Sequence, residues 1–500
     1  TVPDGYEWMF DPLDNSKVII FTDTDFQDQW MSEAFWQKEY IGVNGGSDRM
    51  SYAASISYLD DGGVFAMSDY DVFTTHGNAS FKITKSLEAS TTFDISRQRS
   101  SKFVDNYFNA FGRGIMFAPT ARGFDEEVGW MSSGGNANAQ LASFYEAFYD
   151  REAATDRISS TFNLKWRIID GLTATAQYNY YGNNYRGSYY YKGNSLEQTR
   201  SCTETRTEML RDQFTAYLNF DRTFKRHQIG VTAGYDYMAE RYRYLTANST
   251  YAPSDKVPVL QSGGNFTASN KDTKEVLISY FGRVNYNFDK RYILSFTARA
   301  DGSSKFGSNN KWAFFPSGAF SWKMHEERFI RNLNVFDVLK IRASYGISGN
   351  QGISAYQTLS RYGQHKYFNG GKWVTAIGPG YQSGTTGQDG IYALWSGIPN
   401  KGLKWETTAQ VDLGLDMSFF GNRLNVTFDW YDKRTSDLLR ERNIAPSSGY
   451  DKMWVNDGEI RNRGIELTID GVAFQNRDWR VGGTFVFSRN RNKVLSLGNA

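Results

Sequence analysis

No stretch of this 500-residue chain approaches the ~20 consecutive apolar residues that a membrane-spanning helix requires, and its mean hydropathy is −0.56. Spanning helices are excluded. Proline is scarce, with 9 residues in 500 against a usual share of ~5%. It removes a ladder donor and is kept out of strand interiors, so its scarcity suits a chain built mostly of sheet. The single cysteine, Cys202, rules out an intrachain disulfide framework. The four histidines, His76, His227, His325 and His365, show no H-x-x-x-H spacing, so no metal-ligand pattern is present and no cofactor is expected. Neither sign of charge is in excess: 56 basic and 54 acidic residues give +2, so nothing attracts nucleic acid in bulk. No signal peptide opens the chain at Thr1, and Ala500 falls just past a predicted strand. The chain reads as an internal piece of a longer protein.

Alternation is what the sequence has in abundance. From Thr407 to Met417 the residues Ala409, Val411, Leu413, Leu415 and Met417 share one parity, against Gln410, Asp412, Gly414 and Asp416 on the other. After the turn Phe419-Phe420-Gly421-Asn422-Arg423, Leu424, Val426, Phe428 and Trp430 alternate with Asn425, Thr427, Asp429 and Tyr431. Successive side chains of a strand point to opposite faces, so each strand has one apolar and one wet face. Soluble strands average ~5–6 residues, whereas these are long enough for the ~9–11 that cross a bilayer at a tilt. Further strands are predicted near 37–44, 51–60, 71–84, 87–96, 156–166, 172–181, 213–220, 228–238, 275–288, 291–301, 312–322, 339–347, 463–470 and 480–490. An Arg or Lys facing lipid at mid-membrane costs ~2–4 kcal/mol. That penalty assigns Val411, Leu413, Leu415, Ile465 and Leu467 to lipid, and Asp412, Asp416, Glu466 and Asp470 to an interior.

Connections alternate between short and long. Tight turns are expected near 45–50, 85–86, 167–171, 221–227, 289–290, 419–423 and 471–479, with a larger one at 323–338. Longer segments are expected at 61–70, 97–155, 182–212, 239–274, 302–311, 348–405 and 434–462. Outer-membrane barrels sort their connections in this way, with short periplasmic turns and long extracellular loops. Aromatics make up 16% of the chain, and many fall at strand ends (Tyr58, Phe93, Trp166, Tyr180, Phe288, Tyr292, Trp322, Trp430 and Trp479), as interfacial girdles do. The fold class expected is therefore all-β: an antiparallel transmembrane β-barrel domain over residues 1–500, with about 16 strands.

Two long segments carry candidate ligand contacts. One is the tyrosine-rich run with Tyr185, Tyr189, Tyr190 and Tyr191; the other carries Trp373, Tyr381, Tyr392 and Trp395. A tyrosine offers a flat apolar area with a hydroxyl, suited to stacking on sugar rings or wrapping a peptide. The competing reading is interfacial packing. No catalytic residue is expected, because no Ser/His/acid set converges in the pattern. Asp301-Gly302-Ser303-Ser304 lacks the alternating acids of a calcium loop and is read as a turn at the barrel rim.

One ordered series of motifs resembles a known family. Tyr280-Phe281-Gly282-Arg283-Val284-Asn285-Tyr286 leads to Tyr292-Ile293-Leu294-Ser295-Phe296-Thr297-Ala298-Arg299-Ala300-Asp301-Gly302-Ser303-Ser304-Lys305-Phe306-Gly307. Phe314-Phe315-Pro316-Ser317-Gly318-Ala319-Phe320-Ser321-Trp322 follows, and then Leu339 to Gln351. Lys404-Trp405-Glu406-Thr407-Thr408, Asp429-Trp430-Tyr431, Asn456-Asp457-Gly458-Glu459 and Asn462-Arg463-Gly464-Ile465-Glu466 complete the series, with Thr24-Asp25-Phe26-Gln27-Asp28 near the start. Together they resemble SusC/RagA-type TonB-linked outer-membrane transporters. That resemblance implies a 22-stranded barrel, of which this chain would be an incomplete, unclosed part. It also implies an N-terminal plug domain and a TonB box, both outside this chain. The implied function is active import of an oligosaccharide or oligopeptide across a Gram-negative outer membrane. The implied partners are a SusD-like surface lipoprotein, the TonB complex reached through the absent N-terminal region, the substrate and outer-membrane lipid. Two alternatives remain from the strands alone: a siderophore or vitamin receptor of the wider TonB-dependent class, and a passive porin.

Overall fold

A computed structural model describes residues 2–21, 25–101, 124–125, 129–130, 146–193, 199–359, 362–379, 381–382, 395–396, 398–445 and 452–498. Sixteen strands form one antiparallel sheet in which every strand pairs only with its neighbours in sequence. They are β1 (Trp36–Gly46), β2 (Met50–Asp61), β3 (Tyr70–Lys82), β4 (Leu87–Ser100), β5 (Tyr149–Ile169), β6 (Leu172–Tyr191), β7 (Ser201–Phe224) and β8 (His227–Thr250). Then come β9 (Asn265–Phe288), β10 (Tyr292–Ser303), β11 (Trp312–Lys323), β12 (Val338–Asn350), β13 (Glu406–Phe419), β14 (Leu424–Ser436), β15 (Glu459–Gln475) and β16 (Arg480–Ser496). Every predicted strand is present, in the predicted order. The sheet does not close: β1 and β16 are its two edges.

Register preserves the alternation across strands. Leu164, Ala176, Ala216, Tyr235 and Tyr280 form one continuous row from β5 to β9. Leu415, Phe428, Leu467 and Phe487 form another from β13 to β16. The opposite face carries hydrogen-bonded polar groups. The Arg342 guanidinium lies 2.9 Å from both Asp416 and Asp429, and Ser344 donates to Asp412 at 3.1 Å. A band of apolar rows on one face and a hydrogen-bonded polar network on the other give the wall of a membrane barrel.

The strands outgrow the predicted spans. β7, β8 and β9 each run 24 residues, about twice what a bilayer crossing takes. The segments expected as loops at 182–212 and 239–274 are therefore mostly strand. The missing cue is physical: above the apolar band both faces are wet, so alternation vanishes while the ladder continues. On the outward face of this extension stand Arg97, Asp156, Asn184, Glu208, Arg243 and Asp272, one row across six strands. At the tight-turn rim, Phe288, Tyr292 and Trp322 stack in sequence at 6.2 and 6.0 Å, and Glu327 accepts from the Tyr292 hydroxyl and the Trp322 indole.

Small elements close the rims. A short helix, Phe26–Trp30, is capped by Asp25, whose carboxylate accepts from the N–H groups of Gln27 and Asp28. Hairpins 7–21 and 362–379, and the strand pair Leu439–Asn443 with Lys452–Asn456, stand apart from the main sheet. No helix among the described residues is long and apolar enough to cross a membrane.

Candidate functional site

The inward face of β5–β9 above the apolar band is a wall rich in tyrosine and threonine, with the charged residues Arg157, Arg211, Glu240, Lys271 and Glu275 set among them. On β6 the inward parity runs Tyr181, Asn183, Tyr185, Gly187, Tyr189 and Tyr191, continuous with the polar Thr173, Thr175, Gln177 and Asn179 below. Tyr185 lies beside Thr207 and Tyr244 in register. The Tyr149 ring sits 5.7 Å from Tyr189 and 4.6 Å from Tyr191. Lys271 stands over the Tyr242 ring and Arg211 over Tyr181, each at 6.0 Å. Thr205 and Thr246 share a hydrogen bond, and Asn248 donates to Thr203 at 2.8 Å. Flat rings separated by hydroxyls and amides suit a ligand that presents apolar faces and many hydrogen-bonding groups.

The four candidate tyrosines do not act as one group, and they lie on a strand rather than in the expected loop. Tyr185 and Tyr189 face inward and are half-buried, and Tyr191 faces inward but is buried. Tyr190 has the opposite parity and sits beside Cys202 and Ser249, all three under 4% exposed. The loop 251–264 covers them. Its Asp255 accepts from the Tyr190 hydroxyl at 3.2 Å and from Arg200 at 2.8 Å. Tyr190 is thus packing, while its neighbours line the wall. Among the other candidates, Trp373 is exposed on the hairpin 362–379, against Phe368. Tyr381 and Trp395 lie on a two-residue strand pair, and Tyr392 lies outside the described residues. Tyr149, Tyr242 and Tyr244 were missed by sequence reasoning, although the spacing of Tyr242, Tyr244, Thr246 and Asn248 is the period of two that marks a strand face.

A second feature crowns the wall at the long-loop rim. Phe306, Phe315, Ile353, Leu403 and Trp405 form a buried core, with Leu403 fully enclosed. These side chains come from motifs scattered over a hundred residues. Pairing between β11 and β12 ends at Ser317–Gly346, beside Pro316, which has no N–H to continue the ladder. Above that point the strands part, and the Phe315 ring lies where a side chain on Gly349 would have to be, 2.1 Å from that Cβ position. Trp405 packs on Phe306 and Phe315 at 5.2 and 5.5 Å and donates its indole N–H to the Lys311 carbonyl. Asn456 ties Lys404 from both sides, accepting from its N–H and donating to its carbonyl. Ser303 and Gln351 are hydrogen-bonded here as well, so Asp301-Gly302-Ser303-Ser304 belongs to the end of β10 and to this knot.

The histidines are dispersed. His76 pairs with Asp94 at 2.6 Å, His227 contacts the Tyr286 hydroxyl at 2.7 Å, and His325 bonds to the Leu339 backbone. Among the described residues no group of three His, Cys, Asp or Glu could hold a metal ion.

Comparison with known proteins agrees with this architecture. Residues 90–500 match the family described as "TonB dependent receptor-like, beta-barrel". The chain is 31% identical over 498 residues to TonB-dependent receptor P3 of Formosa agariphila, covering 95% of this chain and 47% of that protein. It is 24% identical to TonB-dependent receptor SusC of Bacteroides thetaiotaomicron, covering 95% and 48%. A solved structure of the RagAB peptide transporter superposes with a TM-score of 0.82 at 24% identity, over 95% of this chain and 53% of that one, which speaks to fold alone. The chain thus spans about half the length of the relatives it matches. With strand order and register in place and the family match over residues 90–500, it belongs to the TonB-dependent receptor β-barrel family, and its place is the outer membrane.

Proposed function

We propose that this chain forms most of the barrel wall of a TonB-dependent importer for a large nutrient oligomer, an oligosaccharide or oligopeptide, working with a SusD-type surface lipoprotein. The inward tyrosine–threonine wall of β5–β9 carries this reading. It is broad, with hydroxyls on all five strands and rings on β5, β6 and β8, as recognition of a repeating ligand needs. The likeness to SusC and to a peptide transporter supports the same class. A plug and a TonB box are expected in the part of the protein outside residues 1–500, and energy coupling is assigned to that part.

The test is uptake in the native bacterium. Cells carrying the full-length gene should accumulate labelled oligomer, and should stop when the proton-motive force is collapsed or the adjoining lipoprotein gene is deleted. Uptake that persists without the proton-motive force points instead to a passive pore. Uptake restricted to ferric siderophore or vitamin points to the wider receptor class.

A further inference from the structure

We propose that the outward face of β4–β7, just above the apolar band, is a binding site for the phosphate of an outer-leaflet glycolipid, held between Arg186 and Arg206. These two arginines are direct register partners on adjacent strands. Their shared parity is the outward one, continuous with Ala174, Ala176 and Tyr178 on β6 and with Leu218, Ala216 and Phe214 on β7. Both are exposed. Like charges directly opposite one another in a sheet are destabilising, so the pair calls for an anion.

The protein supplies too little of one. Asp156 is shared, lying 2.6 Å from Arg97 and 2.7 Å from Arg186. Glu204 is hydrogen-bonded to Ser188 at 2.8 Å. Arg206 and Arg99 have no ion pair among the described residues, and Arg99 stands in the same row as Arg186 and Arg206, with only Ala154 between. One row lower the picture is different. There Arg243 meets Glu208 at 2.9 Å, and Arg241 on the same strand meets Asp272. At the far end of the row Asp71 stands directly opposite Arg99, with Asp60 beyond it, so the charge left unanswered is local to Arg206 and its partner Arg186.

These residues line a cleft of about 690 Å³, which also has the carboxylates Asp60, Asp69, Asp71, Glu152 and Glu204 on its walls. A bare anion would gain little among those acids. A phosphate carried on a saccharide differs, because the guanidiniums can take it bidentately while the acids accept from sugar hydroxyls. Height decides the source. The row lies above the last apolar rows, on the long-loop side of the wall. An outward side chain there meets the headgroups of the outer leaflet, which in an outer membrane are phosphorylated glycolipids.

The test uses the full-length protein purified from outer membrane in mild detergent and examined by native mass spectrometry. The parent should retain glycolipid, and Arg186→Gln/Arg206→Gln should retain about ten-fold less or lower still. Arg206→Lys should keep most of it. Reconstituted with glycolipid, the parent should resist heat unfolding better than the double variant; in phospholipid alone the order should vanish or invert, since the substitution removes a repulsion. Enzymatically dephosphorylated glycolipid should not bind, and millimolar inorganic phosphate should not displace the native one. Equal retention by parent and double variant, equal binding of the dephosphorylated lipid, or displacement by free phosphate would each overturn the proposal.

Discussion

The Tyr190 hydroxyl stands 3.2 Å from a carboxylate oxygen of Asp255, 65 residues further along the chain. Burial pushes the Asp255 carboxyl up, but hydrogen bonds from Arg200 and the Gly193 N–H outweigh it and hold the group below its ordinary value of 3.8. A depressed folded-state value stabilises above the unfolded value and is lost as pH falls through the folded one. Protection against hydrogen exchange in the loop 251–264, taken relative to the intrinsic rate at each pH, should therefore be flat from neutral pH down to about 5, and fall only below 3.8. Asp255→Asn should loosen the loop at neutral pH, by about 1–3 kcal/mol. Acid opening between pH 5 and 7 would show that another group controls the loop.

Leu413 pairs in register with Ala343 and Trp430 on the apolar face, and the next residue back, Asp412, accepts from Ser344 and Gln410 on the polar face. In the full-length protein Leu413→Arg should cut folded barrel levels in the membrane, at a cost of ~2–4 kcal/mol near the midplane. Asp412→Asn keeps an acceptor and should leave levels nearly unchanged. Heat-modifiable migration of the barrel on gels reads both. Similar losses from the two variants would contradict the assignment of faces.

Gly307 approaches the backbone of the opposing loop so closely that a Cβ would lie 2.2 Å from the Lys401 carbonyl oxygen. A carbonyl cannot swing aside as a side chain can, so Gly307→Ala should pry the knot open. Trp405→Ala should remove its centre, at about 3–5 kcal/mol. Both variants should still insert, since the apolar band is untouched, but protease should cut 302–311 and 398–405 faster than in the parent. Protection equal to the parent's would mean that the knot does not hold these loops.

Tyr185 and Tyr189 face the interior, while Tyr190 is sealed beneath a loop. Replacing Tyr185 and Tyr189 by Ala should raise the half-saturation concentration for the imported oligomer about five-fold or more, if each stack contributes ~1–3 kcal/mol. Tyr190→Phe loses only a hydroxyl and should leave uptake unchanged while loosening the 251–264 loop. Unaltered uptake in the double variant would reduce these rings to packing.

The apolar band was legible because lipid enforces it. Val411, Leu413 and Leu415 cannot trade places with Asp412 and Gln410 without burying charge in hydrocarbon, so the parity is written into the residues. Nothing apolar enforces parity at Arg241, Tyr242, Arg243 and Tyr244, which have water on both sides and are joined to β7 and β9 by the ladder and by polar side-chain contacts rather than by lipid-facing residues. They read as loop. The knot was hidden for another reason. Phe306, Phe315 and Trp405 stand in recognisable motifs, but each motif is local, and only Pro316 hints that the wall parts to admit them.

Every strand of the sheet pairs with its neighbours in sequence, so the wall can zip together from local hairpins with little loss of chain freedom at each step. The knot follows a different schedule. Trp405 must find Lys311 across 94 residues, and Asn400 must reach the carbonyl of Trp454 in the strand pair beyond β14. The seam above Ser317 therefore stays unsealed until β13, β14 and that strand pair have arrived. Until then Phe306, Phe315 and Leu403 lack the partners that bury them, so the last apolar surface of this wall to leave water is the one that joins its most distant segments.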